Sequence, residues 1–165
     1  MTAEESVTLS TFYKQWKEYQ DKLKASVAPL TAEQLALRAA PDLRSIGENA
    51  THIIGCRAGW FTYVLGEDGG ENVKSTTTWD EPGAAPRTGA ELAQALDWTW
   101  DFMASCISRW SDDDMRVTFE DDWDGVKVQL SRAWIVWHVL EHDLHHGGEI
   151  SLTLGMHSIP AEFTS

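Results

Sequence analysis

Four of the six histidines in this chain fall within nine residues, in the run Trp137-His138-Val139-Leu140-Glu141-His142-Asp143-Leu144-His145-His146-Gly147-Gly148-Glu149. On a helix, at about 100° per residue, His138, His142, His145 and His146 share one arc of roughly 100°. No other regular element collects them on one face. The run therefore constrains the fold as much as the chemistry: it demands a helix whose histidine face looks at something other than bulk water. Each buried imidazole needs partners for both nitrogens, so four on one face call for a metal ion or a polar cavity. The same arc carries Trp134, Glu149, Leu152 and Met156, which predicts that it looks inward.

The rest of the chain supplies helices for that face to pack on. Helical spacing runs from about Thr8 to Ala28 through Phe12, Trp16, Tyr19, Leu23 and Val27, and Pro29 ends it. Thr31-Ala32-Glu33-Gln34 predicts a short capped turn, broken by Pro41. A second long helix starts near Ser45, where Ser45 and Glu48 form a capping box, and continues to about Leu65. Its inner face is predicted to hold Asn49, His52, Ile53, Cys56, Trp60 and Tyr63. Gly66 to Gly89 has no periodicity and reads as a long loop, of the kind that is often functional. A third helix runs from about Thr88 to Trp110 with Leu92, Leu96, Thr99, Met103, Cys106 and Trp110 inward. Two β-prone runs, Met115 to Phe119 and Val126 to Leu130, flank Asp-Asp-Trp-Asp-Gly and predict a hairpin or extended crossover. The last helix spans about Ser131 to Leu154, with Gly155 as its stop. The expected architecture is all-α, a four-helix bundle with a long loop after the second helix and a short crossover before the last. The 165 residues are read as one domain. Bundles of this kind build metal sites from side chains on facing helices.

Composition narrows the partners. Thirteen basic against twenty-six acidic residues leave a net charge of −13, which repels a phosphate backbone and argues against nucleic acid. Cys56 and Cys106 are too few and too far apart for a disulfide framework. The start, Met1-Thr-Ala-Glu-Glu-Ser, lacks the build of a signal peptide, and no apolar run approaches the ~18 residues of a membrane span. A cytoplasmic protein without membrane contact is the expectation.

A catalytic ion needs at least three protein ligands and an open position. Outside the run only His52 and His157 remain. His157 lies past the expected helix stop, whereas His52 sits mid-helix on the inner face of the second helix. A His52 facing His142 and His146 gives three neutral nitrogens on one side of an ion. Cys56, one turn from His52, fits either a soft ligand or a small buried hydrophobe. Trp60, Tyr63, Trp134 and Trp137 fit a core or a pocket wall. Glu120-Asp121-Asp122-Trp123-Asp124-Gly125 echoes the start of a calcium loop, but position 12 is Ser131 instead of the bidentate Glu, so it reads as an acidic turn. Asp112-Asp113-Asp114 reads as a solvated run.

His52-Ile53-Ile54-Gly55, together with His138-x-x-x-His142-x-x-His145-His146-x-Gly148, resembles the DinB/YfiT-like superfamily of four-helix metalloproteins over nearly the whole chain. The resemblance implies a divalent ion held by His52, His142 and His146. Zn2+ or Ni2+ suits three imidazoles and water, with Mn2+ and Fe2+ also open. It further implies a transferase that uses a low-molecular-weight thiol on a small molecule. A metal-dependent hydrolase and a non-catalytic metal-binding stress-response protein are the alternatives. Where the family often reads His-His-Arg-Gly-Gln, this chain has His145-His146-Gly147-Gly148-Glu149. Glu149 then stands either as a carboxylate that orients an imidazole or as a base. His138 and His145 stand as support behind the ligands or as proton shuttles, and His145 also fits packing at the helix–helix seam. Leu140, Leu144 and Leu154, opposite the histidines, form an apolar stripe for a second copy, and the resemblance adds a homodimer.

Overall fold

Capping chemistry sets where the helices begin. The computed structural model describes residues 7–163, so the acidic start Met1–Ser6 lies outside the described residues. Helix α1 spans Val7–Val27. Thr31 opens the single turn α2, Ala32–Leu35, by a capping box with Gln34. Ser45 opens α3, Ile46–Gly59: its hydroxyl accepts from the Glu48 N–H, and the Glu48 carboxylate accepts from the Ser45 N–H at 2.7 Å. These reciprocal bonds satisfy donors that a helix start leaves orphaned. A π-helical turn, Trp60–Val64, continues α3 before the chain turns at Gly66 with φ of 70°. Short helix α4, Gly70–Lys74, lies in the stretch expected to be all loop. Thr88 and Glu91 box the start of α5, Gly89–Arg109.

Ser111 boxes with Asp114 and starts α6, Asp112–Arg116. The acidic run is thus a first helical turn, where carboxylates meet the free N–H groups favourably. Met115 belongs to it and not to a strand. Strands β1, Thr118–Trp123, and β2, Val126–Ser131, pair antiparallel with Trp123 opposite Val126. Their two-residue loop needs positive φ at both positions, and Asp124 (53°) and Gly125 (84°) supply it. The crossover is therefore a hairpin, and the chain is mostly helical with a small two-stranded sheet rather than all-helical. Helix α7, Arg132–Met156, runs two residues past Leu154, so Gly155 does not stop it.

Helix α3 packs on both α7 and α5, and α1 packs on α5. The buried stripe of α1 runs through Trp16, Gln20, Leu23 and Val27, which leaves Phe12 off it and 59% exposed. Two apolar clusters fill the interior. One gathers Leu23, Ile53, Ile54, Leu92, Leu96, Ile150 and Leu154; the other gathers Trp16, Phe61, Met103, Ile135 and Val139. A fully buried ion pair, Arg57–Asp143 at 2.7 Å, falls between them along α1, α3 and α7. The buried face of α7 passes through Val139, Asp143, His146, Ile150 and Leu154, so Leu152 and Met156 point outward, contrary to the expectation that the whole histidine arc looks inward. Leu154 is fully buried and Leu140 packs on the core, which removes two of the three leucines of the expected docking stripe. Among the described residues no helix is long and apolar enough to cross a membrane.

Candidate metal centre

Because α3 lies along α7, residues that face the other helix from each of them meet. His52 on α3 meets His142 and His146 on α7, one helical turn apart. Ring centroids are 5.3 Å apart for His52 and His142, 4.6 Å for His52 and His146, and 5.3 Å for His142 and His146. One nitrogen from each of the three lies within 4.8 Å of the others. The structure thus brings together the three residues that the sequence singles out as a ligand set.

Two of the three imidazoles are fixed by carboxylates. His52 Nδ1 lies 3.0 Å from Asp80 Oδ2, and His146 Nδ1 lies 2.8 Å from Glu149 Oε2. A carboxylate at Nδ1 keeps the ring proton there and leaves the Nε2 lone pair for a ligand. The hydrogen bond from His52 holds the Asp80 carboxyl below the usual carboxylate range. Burial pushes the Glu149 carboxyl up, but the bonds and charges of His146 and His145 outweigh it and leave it low. The third imidazole is different: His142 Nδ1 is buried and has no hydrogen-bond partner among the described residues. Burial, followed by the like charges of His138, His52 and His146, lowers the His142 pKa to about 4. Burial likewise lowers His146, against the pull of Glu149. His142 and His146 are thus neutral at pH 7, the form that ligates.

His138 stacks on Trp134 with centroids 4.8 Å apart and meets His142 edge-on at 4.4 Å. Burial holds its pKa below the ordinary histidine value as well. The side chain of His145 is 57% exposed and lies 3.3 Å from Glu149, so it does not pack at the helix seam. Glu149 therefore bridges His145 and His146, an orienting position.

The histidines border a cleft of about 370 Å3, lined by His52, His138 and His142 and by Cys56, Trp60 and Tyr63, among others. The π-helical turn shapes this wall. Its extra residue per turn rotates Tyr63 out of the inner face where regular periodicity places it; Tyr63 is 70% exposed and bonds Thr77 at 3.0 Å. Cys56 is buried, and burial pushes its thiol pKa up, so it is a neutral hydrophobe rather than a thiolate. A larger cavity of about 600 Å3 lies under the 79–87 segment, and among the described residues no histidine lines it. His157 caps α7 and meets the Arg38 carbonyl at 3.2 Å, away from the site.

Asp80 is the site residue that the sequence does not announce. It lies 28 positions from His52 in an aperiodic stretch. Gly55 is the trace it leaves: a Cβ there would stand 2.7 Å from Asp80 Oδ1. A glycine inside a helix costs about 1 kcal/mol against alanine, so it signals a close approach. Gly147 marks a second approach, since a Cβ there would meet the Tyr19 hydroxyl at 2.2 Å. A larger residue at that position requires the Tyr19 ring to shift.

Three convergent imidazoles, two of them oriented by carboxylates and the third with an orphaned buried nitrogen, fit the donor set of a borderline divalent ion. The sequence model of the DinB superfamily matches residues 15–150, and this chain belongs to that superfamily. A search of curated proteins gives no match. Among solved structures, the chain is similar to a DinB-like protein from Bacillus cereus, at a TM-score of 0.70 and 19% identity, over 91% of this chain and 93% of that one. It is also similar to a conserved protein from Enterococcus faecalis, at a TM-score of 0.66 and 14% identity, over 93% and 99%. At these identities the likeness is one of fold.

Proposed function

We propose that this protein is a divalent-metal-dependent enzyme that transfers a low-molecular-weight thiol to or from a small molecule, with the ion held by His52, His142 and His146. The observation that carries the reading is the convergence of three imidazoles from α3 and α7, two of which, His52 and His142, line an open cleft. We take α1, α3, α5 and α7 as the four helices of a bundle, whose facing helices are where such sites are built. Bound there, Zn2+ or Ni2+ supplies Lewis acidity that lowers the pKa of a thiol or water.

The chain's own residues do the remainder. Asp80 and Glu149 hold His52 and His146 in one orientation and keep their protons on Nδ1. His138, neutral and at the cleft wall, accepts the proton that the substrate thiol gives up. Trp60 and Tyr63 shield that step from bulk water on one side. Thiol transfer rests on the family resemblance. Metal-assisted hydrolysis is the second reading, supported by the same base: His138 stands next to His142, kept neutral by burial against the pull of Glu141 at 4.0 Å. A homodimer is proposed on the resemblance alone, and sedimentation showing only monomer at dilute concentration removes it.

The test is elemental analysis of protein purified without a histidine tag, repeated on His142→Ala. The expected result is stoichiometric metal in the native chain and loss of it in the variant. Stoichiometric metal that survives the substitution overturns the site. Turnover unchanged in Glu149→Gln confines Glu149 to orienting His146 and His145.

A further inference from the structure

The cleft beside the histidines contains a carboxylate that the proposed chemistry leaves unused. Asp121, the fourth residue of β1, lines it opposite the π-helical turn, so the hairpin closes one side of the opening. Its side chain is fixed from two directions. Oδ1 accepts the backbone N–H of Asp122 at 2.9 Å, and Oδ2 accepts the indole N–H of Trp123 at 2.9 Å. Each oxygen retains a further lone pair for a ligand.

Among the described residues no lysine or arginine lines this cleft, and the carboxylates in its wall are those of Asp80 and Asp121. Asp80 is engaged by His52, which leaves Asp121 as the available charge. The hairpin does carry a cation, Lys127, but it pairs with Glu120 at 2.6 Å. Side chains alternate across a strand, so Glu120 and Asp121 belong to opposite faces of the hairpin. The lysine is therefore committed on the face away from the cleft. Trp60 adds an aromatic wall, the surface to which an ammonium or guanidinium is drawn by the ring quadrupole. The chain's net charge of −13 raises the local concentration of cations in the same sense. At the Asp121 end of the cleft a carboxylate-bearing ligand is repelled, so an anionic group is left to the histidine end, where a bound ion would receive it.

We propose that the cleft selects a substrate carrying a cationic nitrogen, an alkylammonium seated against Trp60 and paired with the Asp121 carboxylate. This rests on reading the cleft as the mouth of the histidine site. It makes Asp121 a specificity-determining residue and assigns the reacting group of the substrate to the histidine side.

Phenethylamine, 2-phenylethanol and 3-phenylpropionate share a ring and a short chain and differ in charge, +1, 0 and −1 at about pH 7. They are titrated into the zinc-loaded and the chelator-treated protein, with binding followed by NMR at the indole N–H signals, including that of Trp123. The amine–acid comparison is read in the chelator-treated protein, because a carboxylate also coordinates an open zinc ion. The expected order is amine, then alcohol, then acid. The amine binds about five-fold more tightly than the alcohol, the scale of a partly exposed ion pair. Asp121→Asn keeps an oxygen for the Trp123 indole and removes the preference. Asp122→Asn, which alters net charge equally, retains it. Equal affinities for amine and acid, a preference that survives Asp121→Asn, or equal loss in Asp122→Asn each overturn the proposal. Zinc uptake by the same samples separates the two readings. An amine preference in a protein that takes up no metal refutes the metal centre and leaves this selectivity standing; zinc bound at the histidines without the preference does the reverse.

Discussion

An imidazole is a useful ligand only when its proton is on the correct nitrogen and its ring cannot turn. At His52 both conditions depend on Asp80, whose carboxylate is 3.0 Å from Nδ1 and is seated against the helix at Gly55. Removing it frees the ring and the tautomer together. Such partners typically contribute 10–100-fold in metal affinity. Asp80→Ala is therefore expected to weaken Zn2+ binding at least about ten-fold in a chelator competition, with Asp80→Asn intermediate because an amide oxygen still accepts from Nδ1–H. Native affinity in Asp80→Ala would show that the ring is held by packing alone. His52, His142 and His146 are legible in the sequence because each keeps helical phase with residues around it. Asp80 is not, since a loop has no period and the pairing depends on how the 79–87 segment folds back on α3.

Each long helix is readable from its apolar period, and the starts of α3, α5 and α7 are readable from the Ser or Thr that precedes each. Ser45–Glu48 announces α3 in the sequence, and the structure makes both bonds of that box. Ser111–Asp114 obeys the same rule, yet reads as a solvated run because three adjacent aspartates have no apolar period behind them. Where the elements depart from expectation, a local rephasing is the cause: the π-helical turn moves Tyr63 outward, and α7 buries its Asp143 face while Leu152 turns to solvent. The caps also set an acid limit. Bonds from the Thr88 backbone and side chain hold the Glu91 carboxyl below its ordinary 4.5, and bonds from Arg38 and Ser45 do the same for Glu48. A carboxyl whose folded pKa is depressed contributes stability that is complete above the unfolded value and disappears as pH falls through the folded one. Thermal stability is thus expected to decline below about pH 4.5, and Glu91→Gln, which retains the box but does not titrate, to decline less steeply. An identical acid slope in the variant would remove the cap from the explanation.

Across the whole molecule, the arrangement that a periodicity argument passes over is the charged centre. Arg57 and Asp143 sit on the inward phase of α3 and α7, where the sequence pattern leads one to expect apolar residues, and both side chains are fully buried. Asp143 accepts from Arg57 Nε at 2.9 Å and from the Trp16 indole at 2.6 Å. Arg57 also donates to Gln20 at 2.7 Å, and Gln20 donates to the Leu96 carbonyl at 3.1 Å. One polar network therefore ties α1, α3, α5 and α7 together immediately beside His142. A charge in such a place is tolerated only while it is paired, because desolvating an isolated ion costs several kcal/mol. Asp143→Leu leaves the Arg57 guanidinium without its counter-ion and is expected to lose about 3–5 kcal/mol in urea unfolding. Arg57→Met combined with Asp143→Leu removes both charges and replaces them with apolar volume, so it is expected to recover most of that loss. The same pair of variants separates stability from register. If the network fixes how α7 lies along α3, the double variant folds stably but binds Zn2+ more weakly than the native chain, because His142 and His146 no longer keep a unique position against His52. Native stability together with native Zn2+ affinity in the double variant would place the register in the two apolar clusters instead.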